Sequence, residues 1–276
     1  MVRSIHRQFQ LAGGLALIAF SALAQETSQV ERGRYLATIG ICASCHTPKD
    51  AQGASLDGKQ LAGGHRVGGL LASNITPDLE TGIGAWTDQQ IIQAIRNGKR
   101  PNGETVRPPM GVFFYRGISD ADMAAIVAYL RSVPPVNNKV ERLEGRGPAP
   151  VFAPVQNITA PDRSDKLAYG KYLGEAIAHC YQCHTPRKEG LPDLTRAGAG
   201  GNTYTARGGG QVTSSNITPA KLATWTDDQV KAAITQGVRP DGSKLAAVMD
   251  FDLYQKFSAE DIDALVAYMR SVPAVN

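Results

Sequence analysis

Aromatic residues are scarce in this 276-residue chain, at 7% of positions, and only four cysteines and five histidines occur. Domains of roughly a hundred residues with few rings are marginal on side-chain packing alone, so a bound apolar group is expected to complete the interior. Neither sign of charge dominates. Lys and Arg number 29 against 25 Asp and Glu, which is too even for a polyanion-binding surface and argues against nucleic acid as a partner. Sustained two-residue alternation is absent, so sheet content is expected to be minor. Beyond Ala24 no apolar run approaches the roughly 18–20 residues that span a bilayer. No nucleophile–base pair and no phosphate-binding loop stands out. What is plentiful is glycine, with 29 residues, and proline, with 16, on a background of 42% hydrophobic and 20% charged positions. That is a globular chain rich in loops and turns.

The first 24 residues read as an export signal. Arg3, His6 and Arg7 make a basic start, Leu11 to Ala24 is apolar, and Ala22-Leu23-Ala24 is an A-x-A cleavage site. The alternative is an uncleaved anchor, against which the shortness of the apolar run counts. Cleavage near Ala24 predicts a protein in the periplasm. It removes Arg3 and Arg7, leaving a net charge of about +2.

Cys42-Ala43-Ser44-Cys45-His46 is a C-x-x-C-H pattern, and it returns as Cys180-Tyr181-Gln182-Cys183-His184. Two thiols this close can anchor a haem covalently, and the histidine that follows can bind its iron. In an exported chain two disulfides or a structural zinc site would also use four cysteines. Both leave the paired histidine unexplained, and both leave the recurrence unexplained. Two haem c groups are therefore expected, held by Cys42, Cys45, His46 and by Cys180, Cys183, His184.

The recurrence extends along the chain. Gly33-Arg34-Tyr35-Leu36 matches Gly170-Lys171-Tyr172-Leu173, Asn74-Ile75-Thr76-Pro77 matches Asn216-Ile217-Thr218-Pro219, Trp86-Thr87-Asp88 matches Trp225-Thr226-Asp227, and Arg131-Ser132-Val133-Pro134 matches Arg270-Ser271-Val272-Pro273. The order and register are kept, so the chain is one unit in tandem. The expected division is a signal over 1–24, a first domain over 25–137, a proline-bearing linker over 138–165 and a second domain over 166–276. Val151-Phe152 is a point at which the linker can pack. Each unit is expected to hold three main helices. The first spans about 29–39, with Val30, Leu36 and Ile39 inward. The second starts on a Thr87/Gln90 capping box and stops at Gly98. The third starts at Ser119 with Asp122 as box partner. Thr226, Gln229 and Gly237, and then Ser258 and Asp261, repeat this layout.

A second iron ligand has to come from elsewhere. Met123 and Met269 fall on third-helix core positions. Met110 and Met249 each follow the second helix in a loop, 64 and 65 positions after His46 and His184, and are the expected distal ligands. Thioether ligation raises the potential and closes the iron to substrate, which favours electron transfer over catalysis. His65 and His179 are expected to make solvent or peripheral contacts. Arg96, Lys99, Arg100, Arg107 and Arg116 gather near Met110. They read as solvated charge, with steering of an acidic partner as the sharper alternative.

Through the two C-x-x-C-H motifs, the 74–84 run, Trp86 and Pro108-Pro109-Met110, residues 29–276 resemble class I c-type cytochromes in two-domain dihaem form. They are most similar to the cytochrome c subunits that serve periplasmic or membrane-bound alcohol and sugar dehydrogenases. The resemblance implies an all-α fold, a small helical bundle round each haem. It implies an electron carrier between a periplasmic dehydrogenase and a cytochrome, quinone or oxidase of the respiratory chain, compatible with peripheral attachment to the membrane. It also implies a tryptophan or arginine on a haem propionate, for which Trp86 and Trp225 are the candidates, with core packing as the alternative. Two features depart from the pattern. Many such subunits carry three haems where this chain has two motifs, and Ala247-Val248 stands before Met249 where the first unit has two prolines. The competing function is a dihaem redox enzyme, peroxidase-like or thiosulfate-oxidising, with one labile or open haem.

Overall fold

The structure is a computed structural model and describes residues 25–143, 149–206 and 209–276. The export signal expected over 1–24 lies outside the described residues. No helix among them is long and apolar enough to cross a membrane.

Both units share one order of five helices, to which the second adds one short helix. In the first, α1 covers residues 25–39, and α2 (Cys42–His46), α3 (Asp88–Arg96), α4 (Val112–Tyr115) and α5 (Asp120–Ser132) follow. In the second, α6 (Lys166–Tyr172) runs on into a π-helical turn (Leu173–Ile177). Then come α7 (Cys180–His184), α8 (Pro219–Leu222), α9 (Asp227–Thr235), α10 (Phe251–Tyr254) and α11 (Ala259–Ser271). Among the described residues, strands form three two-stranded antiparallel pairs, besides isolated bridges: β1 (Arg66–Val67) with β2 (Leu70–Leu71), β3 (Arg187–Lys188) with β4 (Leu191–Pro192), and β5 (Thr203–Thr205) with β6 (Gln211–Thr213).

The local signals act as their chemistry requires. Thr87 and Gln90 close a reciprocal capping box on α3, and Thr226 and Gln229 do the same on α9. Each helix then stops at a glycine with left-handed φ, +66° at Gly98 and +65° at Gly237. The helix pairs α1/α5 and α6/α11 cross at glycines. A Cβ on Gly33 would sit 1.8 Å from the Ala125 carbonyl oxygen, and one on Gly170 would sit 1.9 Å from that of Ala264. Met123 and Met269 are buried as core residues. Leu36 and Ile39 are fully inward, whereas Val30 is only half-buried.

The third helices differ from expectation. Ser119 and Ser258 cap α5 and α11, accepting from the amides of Asp122 and Asp261. The two carboxylates are not turned back as box partners. Asp122 instead accepts from Arg32 at 2.9 and 3.0 Å and from the Tyr172 hydroxyl of the second unit at 2.8 Å. Asp261 accepts from Arg163 and, at 2.7 Å, from the Tyr35 hydroxyl of the first unit. Tyr35 and Tyr172 are equivalent in the repeat, and each also accepts the cap residue's amide, from Ser258 at 3.3 Å and Ser119 at 3.1 Å. Each unit thus places a tyrosine on the helix start of the other, an exchange related by a pseudo-twofold axis.

The main hydrophobic core lies across this seam. Leu36, Ile39, Met123 and Ile126 of the first unit pack with Tyr172, Leu173, Ala176 and Ile177 of the second. The linker lies against the first unit. The Val155 backbone exchanges hydrogen bonds with the Asn97 side-chain amide, Phe152 meets the Phe113 ring, and Arg116 donates to Ala153 O at 2.7 Å. Val151, expected to pack beside Phe152, is exposed.

Asp261 is wholly buried, so an Asp261→Ala variant is expected to lose about 2–3 kcal/mol, because the Tyr35 hydroxyl is left without its acceptor at the seam. Chemical denaturation with an unchanged slope and a lowered midpoint would show it. An unchanged midpoint would mean the tyrosine bracket does not stabilise the pairing of the units.

Candidate haem sites

Each C-x-x-C-H motif is a single helical turn. The residue before it, Ile41 or His179, takes a left-handed φ of +50° or +40°, which turns the chain sharply from the preceding helix into α2 or α7. Histidine closes each turn. The Nδ1 of His46 lies 2.7 Å from the Ser73 carbonyl, and the Nδ1 of His184 lies 2.7 Å from that of Ser215. A carbonyl can only accept, so Nδ1 carries the proton and Nε2 keeps its lone pair for a metal. Burial holds both imidazoles below their ordinary pKa and keeps them neutral. These two serines precede the Asn-Ile-Thr-Pro landmarks, so each landmark anchors the loop that orients an iron ligand. In that loop Asn74 accepts from Thr76 and donates to Val136 O, and Asn216 does the same with Thr218 and Val275 O.

All four cysteines are unpaired. Burial pushes Cys42 and Cys180 up to about 12 and Cys45 up to about 11, and raises Cys183 as well. These pockets favour uncharged sulfur, as a thioether presents, over the thiolate that zinc would need. Among the described residues no three His, Cys, Asp or Glu side chains converge as ligands for a metal ion. The donor set therefore fits a haem held by two sulfurs and one imidazole better than a zinc cage.

Met110 and Met249 both lie half-buried in the turns before α4 and α10. Met110 donates its amide to Arg107 O and accepts from Val112. Its surroundings include Pro109, Phe113 and Phe152 and, from the second unit, Gln182 and Leu191. Trp86 and Trp225 pack against the cores of their units, and their carbonyls accept from Arg131 and Arg270. The His65 carbonyl accepts from Ala72 beside β1, in a loop distinct from α2.

Four residues differ from the sequence reading. Arg96 is 4% exposed, bonded to Asp120 at 2.5 Å and to Ile118 O at 2.7 Å, because its helix end packs against the start of α5. It is not solvated charge. Arg116 sits over the Phe152 ring. Arg100 points inward and donates to Ser73 Oγ at 2.8 Å, on the residue that orients His46, while its Nε is buried without a hydrogen-bond partner. A guanidinium half out of water and beside Arg142 is depressed below its ordinary pKa by burial first. A haem carboxylate is the chemistry that donor fits. His179, expected at the surface, is buried between the units, 5.1 Å edge-on to Tyr115, and burial pushes it down to about 4.

The seam also joins the two motifs to each other. Ser44, inside the first motif, donates to the Asp250 carboxylate at 2.6 Å, next to Met249. Gln182, at the equivalent place in the second motif, donates to Pro109 O at 2.6 Å, next to Met110. Tyr115, half-buried, and Tyr254, buried, lie beside them; both are pushed well up by burial first, then Tyr115 by cysteines of both motifs and Tyr254 by Cys180 and Cys183. Sequence reading missed Ser44, Gln182 and Asp250; the one available signal was that the first two are equivalent in the repeat.

A family model for cytochrome c matches the chain twice, over residues 30–134 and 167–273, and the chain belongs to that family. It carries two covalently bound haem c groups, one per domain. It is 31% identical over 306 residues to the cytochrome c subunit of the alcohol dehydrogenase (quinone) of Gluconobacter oxydans, covering 100% of this chain and 62% of that one. It is 30% identical over 292 residues to the gluconate 2-dehydrogenase cytochrome c subunit of Pantoea cypripedii, covering 96% and 65%. It is 32% identical over 275 residues to a dihaem c-type cytochrome of Cereibacter sphaeroides, covering 90% and 88%. The chain thus spans under two thirds of the length of the two dehydrogenase subunits.

Proposed function

We propose that this chain is an exported dihaem electron carrier. It takes electrons from a periplasmic dehydrogenase acting on alcohols or sugars and passes them to a cytochrome, quinone or oxidase. In this reading residues 1–24 are a cleaved signal, and 25–137 and 166–276 are the two cytochrome domains joined by 138–165. His46 with Met110, and His184 with Met249, would ligate the two irons, and Arg100 would meet a propionate of the first haem. When bound, the haems supply reversible one-electron transfer. The protein's own part is to fix each imidazole by its Nδ1 bond, to present uncharged sulfur, and to keep water from the crevice.

The carrying observation is the matched pair of 2.7 Å bonds from His46 to Ser73 O and from His184 to Ser215 O. Such a bond fixes tautomer and ring direction for a metal on Nε2, and finding it in both units favours two alike redox centres over one structural and one catalytic site. The dehydrogenase donor is supported by the names of the relatives.

Intact mass of the holoprotein is expected to show two haem additions on a chain beginning just after Ala24. Cys42→Ala/Cys45→Ala is expected to show one addition and about half the reduced-minus-oxidised absorbance. Mixing with a quinoprotein or flavoprotein dehydrogenase and its substrate is expected to reduce both haems; a protein left oxidised by every such donor would contradict the carrier reading.

A further inference from the structure

The two domains are built alike, but their seam is not symmetric in charge. The residue after the second-unit methionine is Asp250, whereas the residue after the first-unit methionine is Gly111. Asp250 is buried at 8% exposure. Its carboxylate accepts 2.6 Å from Ser44 Oγ, which lies inside the first haem motif, while its backbone adjoins Met249 of the second unit. The pseudo-twofold counterpart of that contact is neutral: Gln182 donates its amide to Pro109 O. On that side a Cβ on Gly111 would stand 2.4 Å from Gln182 Oε1, so a side chain there would first have to displace the Gln182 amide. Between the attachment turns and the methionine loops there is therefore a carboxylate on one side only, joining the first attachment turn to the second methionine loop.

We propose that Asp250 is a positioning and potential-setting residue shared by the two haems, a fixed negative charge that clamps the first haem's attachment turn to the second haem's methionine loop and lowers the potential of both. Its reach to both sides is positional: the carboxylate is bonded to the first attachment turn, and its own backbone continues from Met249 of the second unit. A negative charge in a low-dielectric seam favours the ferric over the ferrous state of each neighbouring haem, because oxidation adds a positive charge there. Ser44 moderates the effect by donating to the carboxylate. Sharing one charge moves the two potentials together, where a charge in each distal loop would set them separately.

This rests on the two-haem carrier reading, and the test separates the two. Spectroelectrochemical titration of the purified holoprotein is run on the unaltered chain, Asp250→Asn and Ser44→Ala, after mass and spectrum have established two haems in each. Asp250→Asn is expected to raise the one-electron reduction equilibrium constant of both haems about tenfold, ~59 mV each. Ser44→Ala keeps the charge and removes the Ser44 hydrogen bond to it, so both constants are expected to fall, by about threefold. Opposite signs in the two variants would not arise from mere loosening of the seam. A shift in one haem alone, no shift, or a shift of the same sign in both variants overturns the proposal and leaves the carrier reading intact. If Asp250→Asn fails to keep its haems, Ser44→Ala decides alone. Failure of the unaltered protein to show two haems would overturn the reading itself.

Discussion

Met110→Leu is expected to lower the potential of one haem by at least a hundredfold in its reduction equilibrium, ~120 mV at 59 mV per tenfold step, and to open that iron to carbon monoxide. Met249→Leu is expected to do the same to the other haem. Leucine nearly matches methionine in volume, so the turns before α4 and α10 should keep their packing. The thioether is what is lost, and with it the preference for ferrous iron that a His/Met pair confers. Each variant should alter one wave of the titration and leave its twin within the small coupling that the seam allows. A Met110→Leu protein with both potentials unmoved and no affinity for carbon monoxide would remove Met110 from the iron. The ligand would then have to come from another loop.

Gly33→Ala and Gly170→Ala are expected to be the most damaging single-methyl changes in the chain. The added carbon would meet a backbone carbonyl at under 2 Å in either case, and a carbonyl cannot swing aside as a flexible side chain does. The helices of the crossing must separate instead. Overpacking of this kind costs about 3 kcal/mol or more. The damage should spread, because α1 and α6 carry Tyr35 and Tyr172 into the opposite unit. Thermal unfolding of each holoprotein, read from the haem absorbance, is the measurement. A midpoint within a degree or two of the unaltered protein's would mean that the crossings are looser than the structure has them.

Much of one unit is written locally. The cysteines and histidine must be adjacent to attach and ligate one group, so the motifs stand out. Thr87 and Gln90 are three residues apart because a capping box spans one turn, and Gly98 follows because only glycine takes that φ cheaply. The seam between units is written nowhere so compactly. Asp122 and Asp261 sit where a box partner would, and the local rule assigns them to their own helix starts. Arginine and tyrosine partners from distant segments outcompete that arrangement. Ser44 and Gln182 look like filler between cysteines, since nothing nearby reveals that Asp250 and Pro109 arrive from the other unit. His179 is buried by Tyr115 of the opposite domain, and a sequence window around Cys180 does not contain that neighbour. Arg96 satisfies the rule for a helix C-terminus and is buried all the same, because α5 begins against it. The missed features are contacts between segments apart in sequence, and all of these but the Arg96 pair join one cytochrome domain to the other.

Each attachment turn bonds to the other unit's methionine loop, with Tyr115 and Tyr254 beside these contacts. A carrier built this way has no need of an open iron. The most direct measurement is therefore the absorption spectrum of the dithionite-reduced, unaltered holoprotein before and after saturation with carbon monoxide at neutral pH. The account predicts two reduced haems whose spectra do not change. Stoichiometric carbon monoxide binding at either haem would contradict it and make one centre a site of ligand chemistry.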